Sequence, residues 1–188
     1  MTEELRDRNG LTEAEAIALY RTKNYPKPAL TADVAVMTGR DGKYRLLMIR
    51  RGGHPYLGCW ALPGGFAEEG ETIEVTAARE LEEETGVQDL PMELVGIYSK
   101  PGRDPRGWTV SAAYVAMLGD ELPEAQAGDD AAETAWVEVL AGPEENTVEV
   151  VLPDGGQIAF DHMDIIRDAV RCVQRAEAEQ HIAGMLGL

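Results

Sequence analysis

The segment from Thr72 to Gly86 is the feature that most constrains what this chain can fold into. It contains no proline, and its only glycine is Gly86 at its end. Thr72 has the side chain of a helix N-cap, and Gly86 lies where a left-handed C-terminal cap belongs. We therefore predict a helix from Thr72 to Thr85, and the rest of the fold must bury one face of it.

Three glutamates of this predicted helix have a spacing that carries chemical information. Glu80, Glu83 and Glu84 lie at i, i+3 and i+4, so their carboxylates project from one face. Their mutual repulsion destabilises the helix unless a divalent cation lies between them, and carboxylate oxygen is a ligand that Mg²⁺ prefers. Arg79 can pair with Glu83 one turn on. The alternative is a solvated acidic helix face.

Hydrophobic runs on both sides of this helix predict the rest of the fold. The predicted strands are Ala32 to Met37, Tyr44 to Arg50, Trp60 to Leu62, Glu93 to Ser99, Trp108 to Met117, Ala135 to Val139, Val148 to Leu152 and Gln157 to Phe160. Hairpins are expected around Asp41-Gly42 and around Asp154-Gly155-Gly156. Further helices are expected from Thr12 to about Arg21 and from about Asp161 to Ala176 or beyond.

This order of strands and two substantial helices predicts an α/β sandwich in which a mixed sheet is covered on both faces. The chain has 188 residues, of which 44% are hydrophobic, and this is enough to bury one core. We therefore expect a single domain over residues 1–188, with a short N-terminal helical extension over about residues 1–28.

Charge limits the partners that the protein can have. Lys and Arg number 17 against 34 Asp and Glu, which gives a formal net charge of −17. The field of such a protein repels polyanions, so we expect neither nucleic-acid binding nor binding to an anionic membrane. Two cysteines and the absence of an apolar stretch behind the N-terminus predict a cytoplasmic protein.

The predicted helix lies within a longer pattern, G-x5-E-x7-R-E-U-x-E-E-x-G-U, in which U is an apolar residue. The matching positions are Gly65, Glu71, Arg79, Glu80, Leu81, Glu83, Glu84, Gly86 and Val87. The pattern resembles the Nudix box without a departure. The resemblance implies a Nudix-type α/β/α sandwich with a mixed central sheet. It also implies Mg²⁺- or Mn²⁺-dependent hydrolysis of a nucleoside diphosphate linked to another group.

The resemblance also implies roles for individual residues. Carried over by position, Glu80 and Glu84 are direct metal ligands, Glu83 is a ligand or a partner of the attacking water, and the Gly64 carbonyl joins them. The implied structural supports of the motif are Gly65, Glu71 and Arg79. Glu83 and Glu84 are thereby expected to be catalytic.

Three segments outside the box resemble one Nudix subgroup, which contains ADP-ribose pyrophosphatases and the sugar-nucleotide-sensing domains of NAD-metabolism regulators. The segments are Asn24 to Pro28, Arg103 to Gly107 and Ala159 to His162. This resemblance implies hydrolysis of ADP-ribose to AMP and ribose 5-phosphate by a homodimer. One alternative is a Nudix hydrolase of dinucleoside polyphosphates, NADH or oxidised nucleotides. The other is a regulatory domain that binds ADP-ribose without cutting it, which the intact box and the acidic chain disfavour.

Substrate binding requires cations in spite of the net charge. Arg51, Arg103 and Arg106 lie on or beside predicted loops, and the guanidinium fork suits phosphate oxygens. We expect them to bind substrate, although they could instead balance an acidic surface. Trp60, Tyr98 and Trp108 could stack on a base, but aromatic residues beside strands belong more often to the core.

A general base is also needed. The acidic turn at residues 128–133 precedes a predicted strand, and Glu133, Asp129 or Asp130 could orient the attacking water. We name Glu133 as the expected catalytic residue, against the alternative of a capping or solvated acidic turn. His162 follows Asp161 at a predicted helix start, where capping or packing is more common than ligation.

Overall fold

The computed structural model describes residues 5–119, 131–142 and 147–186, which form three helices and eight strands. In chain order these are α1 Glu13–Arg21, β1 Ala29–Arg40, β2 Lys43–Arg51, β3 Trp60–Ala61, β4 Gly64–Phe66, α2 Ile73–Thr85, β5 Glu93–Tyr98, β6 Thr109–Met117, β7 Ala131–Ala141, β8 Val148–Val151 and α3 His162–Leu186. No helix in these ranges is long and apolar enough to cross a membrane.

Helix α2 begins and ends as its sequence predicts. The Thr72 hydroxyl accepts a hydrogen bond from the Val75 N–H, and Gly86 ends the helix with φ 73°. Helix α1 begins with a complete capping box, in which Thr12 and Glu15 each accept a hydrogen bond from the other's backbone. No residue within α1 is buried.

The hairpin of β1 and β2 has a two-residue turn, because Arg40 pairs with Lys43. Asp41 and Gly42 in the turn have φ angles of 55° and 79°. Positive values at both positions are typical of a type I′ turn, which matches the twist of the flanking strands. The Asp-Gly prediction is confirmed, and both strands extend beyond the predicted limits.

The sheet is mixed and follows the order β5-β6-β1-β2-β7-β8. Strands β1 and β6 are parallel, whereas β1 and β2 are antiparallel and pair only from Met37↔Leu46 to Arg40↔Lys43. At their ends away from the turn, β1 pairs with β4 and β2 pairs with β3. The short strands thus occupy edges that the two long strands leave open, and the β1–β4 register brings Gly64 opposite Asp33.

Each face of the sheet is covered by one helix. Ala35 and Met37 of β1 pack with Ile165 and Ala169 of α3 in one core cluster. The alternate β1 residues, Val34 and Val36, belong to the cluster of α2. Because successive side chains of a strand point to opposite faces, β1 is apolar on both sides. The predicted α/β/α sandwich with a mixed central sheet is confirmed.

The predicted hairpin between residues 148–152 and 157–160 is wrong. Strand β8 pairs with β7, and the second segment forms only a parallel bridge between Trp60 and Ile158. Hydrogen bonds tie this segment to β3, because the Trp60 N–H donates to the Gln157 carbonyl and the Ala159 N–H donates to the Trp60 carbonyl. The Trp60 indole also donates to Asp154 Oδ1 at 3.1 Å, which fixes the turn that was predicted to close the hairpin.

Candidate functional site

A cleft of about 430 Å³ lies where α2 faces β1 and β4. Its lining also includes the loop with Arg103 and Arg106 and the segment from Phe160 to His162. Four distant parts of the chain therefore meet there. The α2 glutamates Glu80, Glu83 and Glu84 all line this cleft, as their spacing predicts.

Arg79 is the centre of an ion-pair network on α2. Its Nε lies 2.9 Å from Glu71, and its Nη1 lies 2.7 Å from Glu80 and 3.0 Å from Glu83. Its Nη2 donates to the Phe66 carbonyl at 3.0 Å. The hydrogen bond from Arg79 lowers the pKa of Glu71 to about 2. Glu71 and Arg79 thus link the loop before the helix to its carboxylates.

Glu84 is a buried carboxyl group with few compensating contacts. It accepts a hydrogen bond from the Gly64 N–H at 2.9 Å. Burial raises its pKa to about 8, and the nearby charges of Glu80 and Asp33 act in the same direction. Burial also raises the pKa of Glu80, against the opposing effect of Arg79. Both carboxylates would therefore be stabilised by an added positive charge.

Gly64 and Gly65, which precede α2, have neighbours that lie very close to their backbone. A Cβ on Gly65 would lie 2.4 Å from a Glu80 carboxylate oxygen, so the carboxylate rests directly against the glycine backbone. A Cβ on Gly64 would lie 2.1 Å from the Ala32 carbonyl oxygen of β1. A side chain at Gly64 is thus excluded by the β1 backbone, whereas a side chain at Gly65 would have to displace the Glu80 carboxylate.

The donor set around Gly64 fits a hard divalent cation. It consists of carboxylate oxygens that line the cleft, and burial and the like charges of Glu80 and Asp33 disfavour the charged form of Glu84. Within residues 5–119, 131–142 and 147–186 no three His, Cys, Asp or Glu side chains are arranged as a complete metal site. Arg79 instead bridges Glu80 and Glu83.

Asp33 and His162 also line the cleft. Asp33 is buried on β1, where it accepts a hydrogen bond from the Ser111 hydroxyl. His162 Nδ1 accepts a hydrogen bond from the Leu62 N–H at 2.9 Å, so a neutral ring carries its proton on Nε2, which lies 3.5 Å from Asp33. Burial lowers the pKa of His162. Asp33 is not among the predicted site residues, although it is a lone carboxylate within the apolar β1 run.

The three predicted arginines have different environments. Arg103 is buried and makes a two-pronged pair with Asp161 at 2.9 and 2.7 Å, so it is part of the cleft wall. Arg106 lines the cleft, and its guanidinium is held by Asp104 at 2.7 Å. Arg51 lies outside the lining, where its Nε donates to the Pro55 carbonyl at 2.8 Å.

Glu133, the predicted base, is not brought to this cleft. It lies on β7 opposite Arg50, and the two side chains form an exposed ion pair at 3.4 Å. The strand begins at Ala131, so the expected acidic turn is already strand at Glu133. Asp129 and Asp130 lie outside the described residues. Trp60 is a core residue, as the alternative for the aromatic residues predicted.

Known proteins resemble this chain over most of its length. A family model described as NUDIX domain matches residues 27–150. An ADP-ribose pyrophosphatase from Methanocaldococcus jannaschii is 38% identical over 154 residues, which cover 81% of this chain and 79% of that protein. The ADPR responsive transcriptional repressor NtrR from Acinetobacter baylyi is 32% identical over 163 residues, which cover 86% of this chain and 60% of the repressor.

A solved structure gives the same result at the level of the fold. The NUDIX domain of Shewanella oneidensis NrtR, in a cocrystal with ADP ribose, has a TM-score of 0.70 at 31% sequence identity. The match covers 86% of this chain and 98% of that domain. The family model, the 38% identical relative and the glutamates gathered on α2 agree, and the chain belongs to the Nudix family.

Proposed function

We propose that this Nudix hydrolase cleaves the pyrophosphate bond of ADP-ribose, with water as the second reactant and AMP and ribose 5-phosphate as products. The observation that carries the proposal is the cleft in which buried carboxylates of α2 face an arginine-bearing loop. The similarity to an ADP-ribose pyrophosphatase and to a domain crystallised with ADP ribose supports the choice of substrate.

The proposed metal ligands are Glu80 and Glu84, with Glu83 and the Gly64 carbonyl beside them, and the proposed ion is Mg²⁺ or Mn²⁺. When bound, such an ion neutralises charge on the pyrophosphate and acidifies the attacking water. Gly64 orients Glu84 through its N–H, and Arg79 fixes one oxygen each of Glu80 and Glu83.

Proton transfer is assigned to Glu83. Its side chain lines the cleft and is 45% exposed, and the described contact of Arg79 is with its Oε2. Its Oε1 accepts the proton of the attacking water. Glu133 was the expected base, but its pairing with Arg50 outside the cleft favours Glu83. Arg106 binds the pyrophosphate through Nη1, since Asp104 accepts from its Nε and Nη2.

We propose one domain over residues 1–188, with residues 1–28 as an extension, and a cytoplasmic location that is supported by the free thiols of Cys59 and Cys172. We also propose a homodimer without nucleic-acid partners. Strand β5 supports the dimer, because it ends the sheet order and exposes Leu94 and Ile97.

The decisive experiment is hydrolysis of ADP-ribose with Mg²⁺ or Mn²⁺ in ¹⁸O-labelled water. We expect equal amounts of AMP and ribose 5-phosphate, loss of both with EDTA, and label in one of the two phosphates. NADH, a dinucleoside polyphosphate and an oxidised nucleotide are the comparison substrates. If the protein hydrolyses one of these compounds faster than ADP-ribose, that compound replaces ADP-ribose as the proposed substrate.

A second candidate is a regulatory domain that binds ADP-ribose without cutting it. The similarity to a transcriptional repressor over 86% of this chain favours it. The same assay separates the two functions, because a regulatory domain binds ADP-ribose tightly and releases no AMP with either metal. The intact α2 carboxylates favour the hydrolase.

A further inference from the structure

Two phenyl rings lie among the described residues that line the cleft, and they share one arginine. The Arg106 guanidinium carbon is 4.7 Å from the Phe66 ring centre and 5.7 Å from the Phe160 ring centre. Asp104 accepts hydrogen bonds from the same guanidinium. Arg106 is therefore oriented by a carboxylate and by two ring contacts.

Phe160 is enclosed by its neighbours. Its ring centre lies 4.6 Å from that of Tyr56 and 5.3 Å from that of His162, and Arg51 lies over it at 5.0 Å. Phe160 and Tyr56 have φ angles of 53° and 60°, which bulky side chains rarely adopt. Such conformations persist only where the surroundings hold them, so the position of Phe160 is strongly determined. Its ring supports Arg106.

Phe66 is less enclosed than Phe160, because Arg106 is the one ring or cation contact of its side chain among the described residues. Arg106 lies over its ring, and the residue is 41% exposed. Its backbone is fixed by the Arg79 hydrogen bond and by pairing with Thr31 of β1. It also follows Gly65, against which Glu80 rests. An accessible aromatic surface is thus held at a fixed position beside the α2 carboxylates.

We propose that Phe66, backed by Arg106, is the surface on which the nucleobase of the substrate stacks. The inference rests on the proposed function, which places the pyrophosphate at the adjacent carboxylates. Bases stack on aromatic side chains through their π-faces, and a cation behind the ring strengthens its attraction for an electron-rich purine. Phe66 would thus bind the base of the substrate, and Phe160 would be a positioning residue.

Binding of AMP, measured by calorimetry in the presence of Mg²⁺, tests this proposal without requiring turnover. Phe66→Leu retains apolar bulk and removes the π-face, so we expect AMP affinity to fall roughly 10-fold or more. Affinity for ribose 5-phosphate, which has no base, should stay within about 2-fold of wild type. Phe66→Trp should restore AMP binding. The KM for ADP-ribose should rise with the Kd for AMP while kcat changes little.

Trp108→Leu is the matched control, because Trp108 is 57% exposed and lies outside the cleft lining. Its AMP affinity should equal that of wild type. The proposal is overturned if wild type does not bind millimolar AMP, if Phe66→Leu binds AMP as wild type does, or if it loses AMP and ribose 5-phosphate equally. AMP binding that depends on Phe66 in a protein without hydrolysis would remove the hydrolase proposal and retain the base site.

Discussion

Glu84 is a buried carboxyl group, and the folded protein stabilises its charged form poorly. Its pKa of about 8 lies above the ordinary 4.5, so between these pH values the folded state binds more protons than the unfolded state. The contribution of Glu84 to the free energy of unfolding is thus present below pH 4.5 and is lost as the pH rises towards 8. The carboxyl group proposed as a metal ligand is therefore one whose charged form destabilises the metal-free fold.

We expect Glu84→Gln to raise Tm at pH 8 in EDTA and to leave Tm unchanged near pH 4.5. The amide oxygen can still accept the Gly64 N–H, and the buried charge is gone. His162, whose pKa is lowered, stabilises with the opposite pH dependence, but it is present in both proteins. Thermal unfolding at the two pH values measures the difference. An equal or lower Tm at pH 8 would contradict the burial argument.

The same variant should be nearly inactive. Loss of one proposed metal ligand should lower kcat by at least ~10²-fold. Glu82→Gln is the control, because Glu82 lies on the exposed side of the same helix and makes the same change of charge. Steady-state assays of both variants at saturating Mg²⁺ provide the measurement. Similar losses in the two variants would refute the assignment of Glu84.

Substitutions of Arg103 and of Arg106 should have different effects on stability and on substrate binding. Arg103→Ala leaves Asp161 without its partner in a buried network, at a cost of about 3–5 kcal/mol in the free energy of unfolding. Arg106→Ala should cost less stability, because Arg106 is exposed, and should lower kcat/KM for ADP-ribose roughly 10- to 100-fold. Denaturant unfolding and initial rates test the contrast. Equal stability of the two variants would contradict it.

At the scale of elements, the junction between β4 and α2 depends on two adjacent glycines that act differently. A methyl group on Gly64 meets the Ala32 backbone, whereas one on Gly65 meets the movable end of the Glu80 side chain. We expect Gly64→Ala to lower Tm strongly. Gly65→Ala should keep most of the stability and lose at least about 10-fold in kcat. Thermal unfolding and activity assays check the pair, and reversed effects would refute this distinction.

Local elements are the part of the fold that the sequence predicts well. Helix α2 carries its own caps and the hairpin of β1 and β2 carries its own turn, so short-range chemistry determines both. The Gln157 to Phe160 segment is different, because its hydrogen bonds go to Trp60, almost 100 positions away. Hydrophobic alternation cannot tell which distant strand will provide such bonds.

The same limit applies to the site. The α2 glutamates and Arg79 were predictable because one helix spaces them. Asp33, Ser111 and His162 are brought together only by the sheet and by the start of α3. The pairing of Arg103 with Asp161 is equally non-local. The sequence therefore predicts the acidic side of the cleft but not the ion pair that holds Arg103, whose part in substrate binding stays a prediction.

At the scale of the whole molecule, the net charge of −17 supports the proposal that the protein is a hydrolase and does not bind DNA. We expect no mobility shift of duplex DNA at roughly 1 µM protein in physiological salt, since even non-specific binding by basic proteins has a Kd of about 10⁻⁴–10⁻⁶ M. The assay should include ADP-ribose. A shift that ADP-ribose reverses would favour the regulatory domain.

The positive charge of Arg79 affects which cations the carboxylates of the cleft attract. The guanidinium already supplies a positive charge to both Glu80 and Glu83. An incoming cation therefore meets carboxylates that are already partly neutralised, and a sodium or potassium ion brings no more charge than the arginine. A divalent ion brings twice as much and gains more from the same oxygens. We therefore expect Arg79 to favour divalent over monovalent cations at the proposed metal site.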